Sequence, residues 1–258
     1  MILAAMQPYL FPYIGYIQLM FAADKLILHD GLRYTRQGYI HRNRYLEPGI
    51  GAMFFGADIR AGTKSGNISE VRVTDDGRWR ERTLARLRNA YACAPFFNEV
   101  FPRVEHVLHL NTDRLATINA SSLEMVRNYL DIECDLETTG EAYADLEASL
   151  AEADTACSLP GGLDRRNARI FWLCEANRAS CFVNPIGGTM LYDTGGLAAQ
   201  GVEMRYLVSD LPTYPQLHSR EFVPSLSILD TLFHCSINHT RNLLSGYRLV
   251  VSKQSATA

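Results

Sequence analysis

The sequence predicts an α/β fold, a mostly parallel sheet flanked by helices with a helical segment in the middle of the chain. Three observations lead there. An apolar run at Ile2–Met6 stops at a proline-bearing loop, gives way to a helical stripe and returns as a second apolar run at Lys25–His29. The same alternation of strand and helix resumes after the break at Pro160-Gly161-Gly162. Between the two, apolar residues from Trp79 onward recur at helical spacing.

Taken in order, Ile2–Met6 is continuously apolar, as a strand buried on both faces should be. Ile14, Ile17, Leu19, Met20 and Ala23 then mark a helix beginning between Pro12 and Gly15, and Lys25–His29 is a strand ending at Asp30. The two strands should be parallel neighbours. From Gly31 to about Gly77 the chain reads as an irregular loop rich in Gly, Arg and Tyr, with a short apolar strand at Ala52–Phe55. Trp79–Tyr91 is a basic amphipathic helix halted ahead of Pro95, Phe97–His109 a second, and a third starts behind Asn111 and Thr112 as caps and reaches Tyr129. Asp135–Thr139 is a short strand, and the acidic Tyr143–Cys157 has helical content. Beyond the Pro160 break come a helix at Asp164–Asn177 and a strand at Ser180–Asn184. A tight turn at Pro185–Gly188 then leads into a helix near Thr189–Gln200, followed by a strand at Val202–Leu207. Ser227 ahead of a leucine-rich run reads as a helix N-cap with Asp230 in the first turn. The expected organisation is one domain over residues 1–258 with a helical insertion at about 79–160 and a disordered tail at Ser252–Ala258.

Composition narrows the function classes. Hydrophobic residues make up 47% and charged residues 21%, an ordinary globular balance. A formal net charge of -3 lacks the basic footprint that phosphate backbones select, so nucleic acid is an unlikely partner class. No run of about 18 apolar residues suggests a membrane span. The six cysteines form no Cys-x-x-Cys pair and no secretory signal is legible, which predicts free thiols and a cytoplasmic protein. His234, Cys235 and His239 lack the further ligands of a zinc pattern, so no metal is expected. Dinucleotide, P-loop and serine-hydrolase signatures are missing, and no cofactor can be named.

Three blocks carry a resemblance. The first runs from Gln7-Pro8-Tyr9 through Gly15-Tyr16 to Ala23-Asp24 and Asp30, continued by Arg42-Asn43-Arg44. The second joins Trp79 and Tyr91 to Ala94-Pro95-Phe96-Phe97. The third links Asn184–Gly188 and Leu191-Tyr192-Asp193 to Tyr214-Pro215-Gln216, Phe222 and Ser227–Phe233. In this order they resemble the WbqC-like family over most of the chain, with Gly31, Arg33 and His41 departing from the pattern. The resemblance implies a place in making cell-surface polysaccharides or certain natural products, and it implies no particular reaction.

The corner after the first strand also resembles nucleotidylyl transferases and class I tRNA synthetases, in which a His-x-Gly-His turn meets phosphates at a helix N-terminus. Tyr13-Ile14-Gly15-Tyr16 stands there, with phenols replacing the imidazoles. A Rossmann-like, HUP-like sheet is the implied fold. Asp30, Tyr13 and Tyr16 are therefore candidate catalytic groups, and Gln7, Tyr9 and Gly15 candidate substrate contacts. Packing residues of a β-α corner are the plainer reading of the same tyrosines. Arg33, Arg36, Arg42 and Arg44 make the loop after Asp30 cationic, either as an anion clamp or as a solvated loop, with Asn43 between the last two and Arg36, Arg42, Asn43 and Arg44 candidate substrate contacts. Asn184, Gly187 and Gly188 form a second strand-to-helix corner, a simple turn or a cradle of backbone N–H groups, with Tyr192 close behind. Both corners should open on one cavity shared by Gln7, Tyr13, Asp30, Asn184 and Gly188.

Two functions from different classes remain. One is a transferase that moves a small acyl, aminoacyl or related group onto a nucleotide-linked sugar or amine, acting on a small, anionic substrate. The other is a non-catalytic nucleotide- or sugar-binding scaffold subunit.

Overall fold

The apolar N-terminal run becomes β1 (Ile2–Met6), a central strand of a six-stranded sheet. The computed structural model describes residues 1–63, 66–74, 76–153, 159–210, 213–217, 219 and 221–251. Cys157 and the tail from Ser252 lie outside them, as does the end of the Tyr143–Cys157 stretch. Helix α1 (Ile14–Ala22) carries the chain to β2 (Lys25–Leu28), which pairs with β1 in parallel register from Leu3↔Lys25 to Met6↔Leu28. The predicted strand–helix–strand unit is present as drawn.

The stretch from Gly31 to Gly77 holds more order than its composition suggests. Strands β3 (Arg42–Glu47) and β4 (Gly51–Gly56) form an antiparallel hairpin, so Arg42-Asn43-Arg44 lies in a strand and not in a loop. Gly49 and Gly51, with φ of 73° and 108°, supply the left-handed backbone of its turn. Three helices follow: α2 (Arg78–Tyr91), α3 (Phe97–Leu108) and α4 (Leu115–Tyr129). Neither Asn111 nor Thr112 caps α4. Its N-cap is Arg114, and Thr112 Oγ1 accepts the Arg114 N–H at 3.1 Å, one step upstream of the helix.

The second half supplies β5 (Asp135–Glu137), α5 (Ala144–Glu152), α6 (Arg165–Ala176), β6 (Cys181–Pro185), α7 (Thr194–Ala199) and β7 (Glu203–Ser209). It ends with α8 (Ile228–His234), α9 (Ile237–Leu244) and β8 (Tyr247–Val250). Asp164 caps α6 by accepting the Asn167 N–H at 2.8 Å, and Ser227 Oγ caps α8 through Leu229. The helix expected near Thr189 is instead a 3-10 turn at Ile186–Gly188, with α7 starting only after the Asp193 cap.

Strand order is β5-β2-β1-β6-β7-β8, parallel throughout except for β8, which runs antiparallel to β7. Counting only these sheet strands along the chain gives 3-2-1-4-5-6, the doubly wound order. Two apolar clusters cover the sheet. One joins Ala4, Leu26 and Leu28 to α1 to α4, α8 and α9, and the other joins Leu3, Ile27 and Phe182 to α5, α6 and α7. The alternation of Leu3 and Ala4 between the clusters follows the strand's period of two. Among the described residues no helix is long and apolar enough to cross a membrane.

Candidate functional site

In a doubly wound sheet, the connections leave the central strands toward opposite faces at the point where strand order reverses, and a crevice opens at the strands' carboxyl ends. Here the reversal lies between β1 and β6. A cavity of about 470 Å³ opens there. Gln7 and Tyr9 reach it from beyond β1, His29 from beyond β2, and Asn184, Pro185, Gly187 and Gly188 from the end of β6. Arg166 and Arg169 close it from α6, with Tyr192 from the turn beyond Gly188. Larger open recesses of about 610 and 690 Å³ lie on the helical segment, lined by α3 and α4 or by Arg80 and residues 109–114, away from the strand ends.

The cavity's charge is one-sided. No aspartate or glutamate is among its described lining residues. Arg166 donates from Nη1 to the Leu191 carbonyl at 3.3 Å and, among the described residues, has no carboxylate partner. Arg169 is neutralised. Its Nε and Nη2 clasp Glu147 of α5 at 2.6 and 2.8 Å, a bidentate pair that fixes the guanidinium plane. Burial alone would raise the Glu147 carboxyl, but hydrogen bonds from His29 and Arg169 and the guanidinium charge hold it at about 2. Burial likewise pushes the Tyr192 phenol up while Arg166 and Arg169 pull it back.

Because Glu147 stays ionised, it can only accept, so His29 Nε2 at 3.0 Å carries the proton. His29 is 3% exposed and Nδ1 has no hydrogen-bond partner among the described residues. This buried nitrogen is left without a partner beside the cavity, a state that costs about 1 to 3 kcal/mol. The composition gave no signal for this cluster, since His29, Glu147 and Arg169 are far apart in sequence and none sits in a motif. A histidine at a strand's carboxyl end was the one legible clue.

The sequence candidates divide. Gln7, Tyr9, Asn184, Gly187, Gly188 and Tyr192 share the cavity, although β1 and β6 lie far apart along the chain. Gly188 is fitted to its place, for a Cβ there would stand 2.0 Å from Asn184 Nδ2. Asp30 and Tyr13 do not join them. Asp30 lines a separate recess of about 370 Å³, and its Oδ1 accepts the Gly140 N–H at 2.8 Å, pinning the chain beyond β5. Tyr13 faces a smaller cleft described below. Tyr16 is fully buried, and its hydroxyl donates to the Gln7 carbonyl at 2.9 Å. Gly15 makes room for the Tyr13 ring, which would lie 2.5 Å from a Cβ.

The arginine segment is spent on the fold. Asn43 is buried and its amide donates to the Leu10 and Phe11 carbonyls at 3.3 and 2.8 Å. Arg44 Nη2 donates to the carbonyls of Pro224 and Ser225 at 3.0 and 2.9 Å. Arg42 donates to the Gly38 and Gln37 carbonyls and stacks over Phe54, while Arg36 is exposed. His234 is likewise occupied, its Nδ1 donating to the Asp230 carbonyl and its Nε2 accepting the Leu217 N–H.

The WbqC-like protein family matches residues 7–242, a span that begins at Gln7 and takes in both corners of the cavity. The chain belongs to the WbqC-like protein family. Membership agrees with a role related to polysaccharide biosynthesis. No curated protein and no solved structure matches the chain.

Proposed function

We infer that this WbqC-like chain is a transferase that moves a small acyl, aminoacyl or related group onto a nucleotide-linked sugar or amine. The product would serve assembly of a cell-surface polysaccharide or a specialised metabolite. One observation carries the reading: the Arg166 guanidinium, which has no carboxylate partner among the described residues, lines a cavity at the point where strand order reverses whose described lining holds no carboxylate. A phosphate or carboxylate of the substrate supplies the missing charge, helped by the Asn184 amide and the Gly187-Gly188 corner.

Group transfer to an amine or hydroxyl needs a proton acceptor within the site. His29, which lines the cavity with its Nε2 held on Glu147 at 3.0 Å beside the Arg169 clasp, is the group placed for that role. Asp30 is left out because its carboxylate holds Gly140 in another recess. Burial raises the phenols of Tyr13 and Tyr16, which therefore keep their protons.

Mass spectrometry of small molecules that co-purify with the protein identifies the ligand class, followed by turnover assays with nucleotide sugars and acyl donors. Arg166→Ala should weaken substrate binding about tenfold, the value of one charge-assisted hydrogen bond. His29→Ala should remove turnover and keep binding. If wild-type protein binds a nucleotide sugar but turns over no acyl donor, the transferase reading fails and the chain is a binding subunit.

A further inference from the structure

Tyr9 lines two spaces. One is the cavity just described, and the other is a cleft of about 220 Å³ walled by Tyr9, Tyr13, Tyr39, Asn43 and Ser225. The cleft falls below the roughly 300 Å³ at which ligand pockets begin, so it suits one ring of a larger molecule and not a whole ligand. Its walls are set from behind. Tyr9 packs on buried Tyr16 with ring centroids 5.6 Å apart, and Tyr39 on Phe54 of β4 at 6.3 Å, where Arg42 covers the same Phe54 at 4.5 Å. The hairpin β3–β4 thus holds the outer wall, which explains why Arg42 and Phe54 stand where they do.

Its polar chemistry is also particular. The Asn43 amide is already committed to Leu10 and Phe11, whereas the hydroxyls of Tyr13 and Tyr39 make no hydrogen bond among the described residues. Three tyrosine rings with two unspent phenols fit a flat ring that carries polar atoms on its edge. The neighbouring cavity meanwhile binds anions through Arg166, on the reading above.

We propose that the Tyr9–Tyr13–Tyr39 cleft is the base subsite of the same centre, taking the nucleobase of a nucleotide whose phosphates lie against Arg166 and the Asn184–Gly188 corner. The assignment rests on the cavity's being the anion site. Stacking tolerates any base because every base offers a π face, so the cleft holds pyrimidines and purines alike and the phosphates set most of the affinity.

Isothermal titration of the full chain with UDP, ADP and inorganic pyrophosphate tests this. Tyr39 is 41% exposed, so Tyr39→Ala leaves the core intact. It should weaken UDP and ADP by about tenfold or more and leave pyrophosphate unchanged, while Tyr39→Phe restores the nucleotides. Arg166→Ala should weaken all three. Nucleotide affinities unchanged by Tyr39→Ala yet lowered by Arg166→Ala would overturn the base subsite and leave the anion site standing. If Arg166→Ala leaves pyrophosphate unaffected, or wild-type protein binds none of the three, the anion site fails and the base subsite with it. A methyl glycoside that binds with Tyr39 dependence while UDP and ADP do not would also overturn the proposal, in favour of a saccharide ring.

Discussion

Glu147 shows at the residue scale how one carboxylate ties folding to pH. Its ordinary carboxyl value of 4.5 falls to about 2 in the folded protein, so the stability it contributes is complete above about 4.5 and is lost as pH drops toward 2. Glu147→Gln should therefore lower the melting temperature at pH 7 but converge with wild type near pH 2, which paired thermal melts across that window check. The loss at neutral pH should be about 1.5 to 3 kcal/mol, the worth of hydrogen bonds to a charged group. Arg44 makes a contrasting case. With its guanidinium on the Pro224 and Ser225 carbonyls, Arg44→Ala should cost about 1 kcal/mol of stability and leave pyrophosphate affinity unchanged. A large loss of binding with an unaltered melt would return Arg44 to the site.

At the scale of elements, the corner after β6 distinguishes two adjacent glycines. A Cβ on Gly187 meets nothing within 4 Å, whereas one on Gly188 would stand 2.0 Å from Asn184 Nδ2 and 3.5 Å from the Tyr192 ring. Gly188→Ala must displace the Asn184 amide, and ligand affinity should fall about tenfold, the loss of one good hydrogen bond to an anion. Gly187→Ala should bind as wild type. Equal effects of the two substitutions in the same titration would mean that the corner acts only as a turn. The hairpin β3–β4 works through its inward residue, since Asn43 ties the β1–α1 loop to the sheet's periphery and Ser227 N–H bonds the Arg44 carbonyl at 2.8 Å.

Across the whole molecule, a buried carboxylate joins segments that the chain separates widely. Asp230 of α8 is fully buried and accepts Tyr91 Oη of α2 at 2.8 Å, Tyr214 Oη at 2.7 Å and Gln216 Nε2 at 2.8 Å. Asp230→Ala would strand the buried Tyr91 and the part-buried Tyr214 and Gln216, and should cost about 3 kcal/mol or more, lowering the melting temperature by roughly 10 °C in a chain of this size. A drop of only a degree or two would show that water or a local shift replaces the carboxylate. The sequence placed Asp230 in the first turn of a capped helix, and α8 bears that out, but the inward direction of its side chain comes from packing.

Periodicity and punctuation determined the elements. Ile2–Met6, the α1 stripe and Lys25–Leu28 were legible because burial on both faces demands unbroken apolar strands and a 3.6-residue helix stripe, and the order of the resembling blocks pointed to the family. β3 escaped because its buried side chains mix the polar Asn43, satisfied by backbone carbonyls of a remote loop, with Tyr45 and Leu46, so no clean apolar alternation is left to read. The corners at Gln7 and Asn184 were legible as local turns with special residues, and the doubly wound order brought them together. What only the tertiary structure decided was where each charge goes. An arginine, histidine or aspartate looks equally available in a sequence. Folding spends Arg42, Arg44 and Asp30 on backbone groups, whereas Arg166, which also meets a carbonyl, stays exposed at the cavity with no carboxylate partner among the described residues.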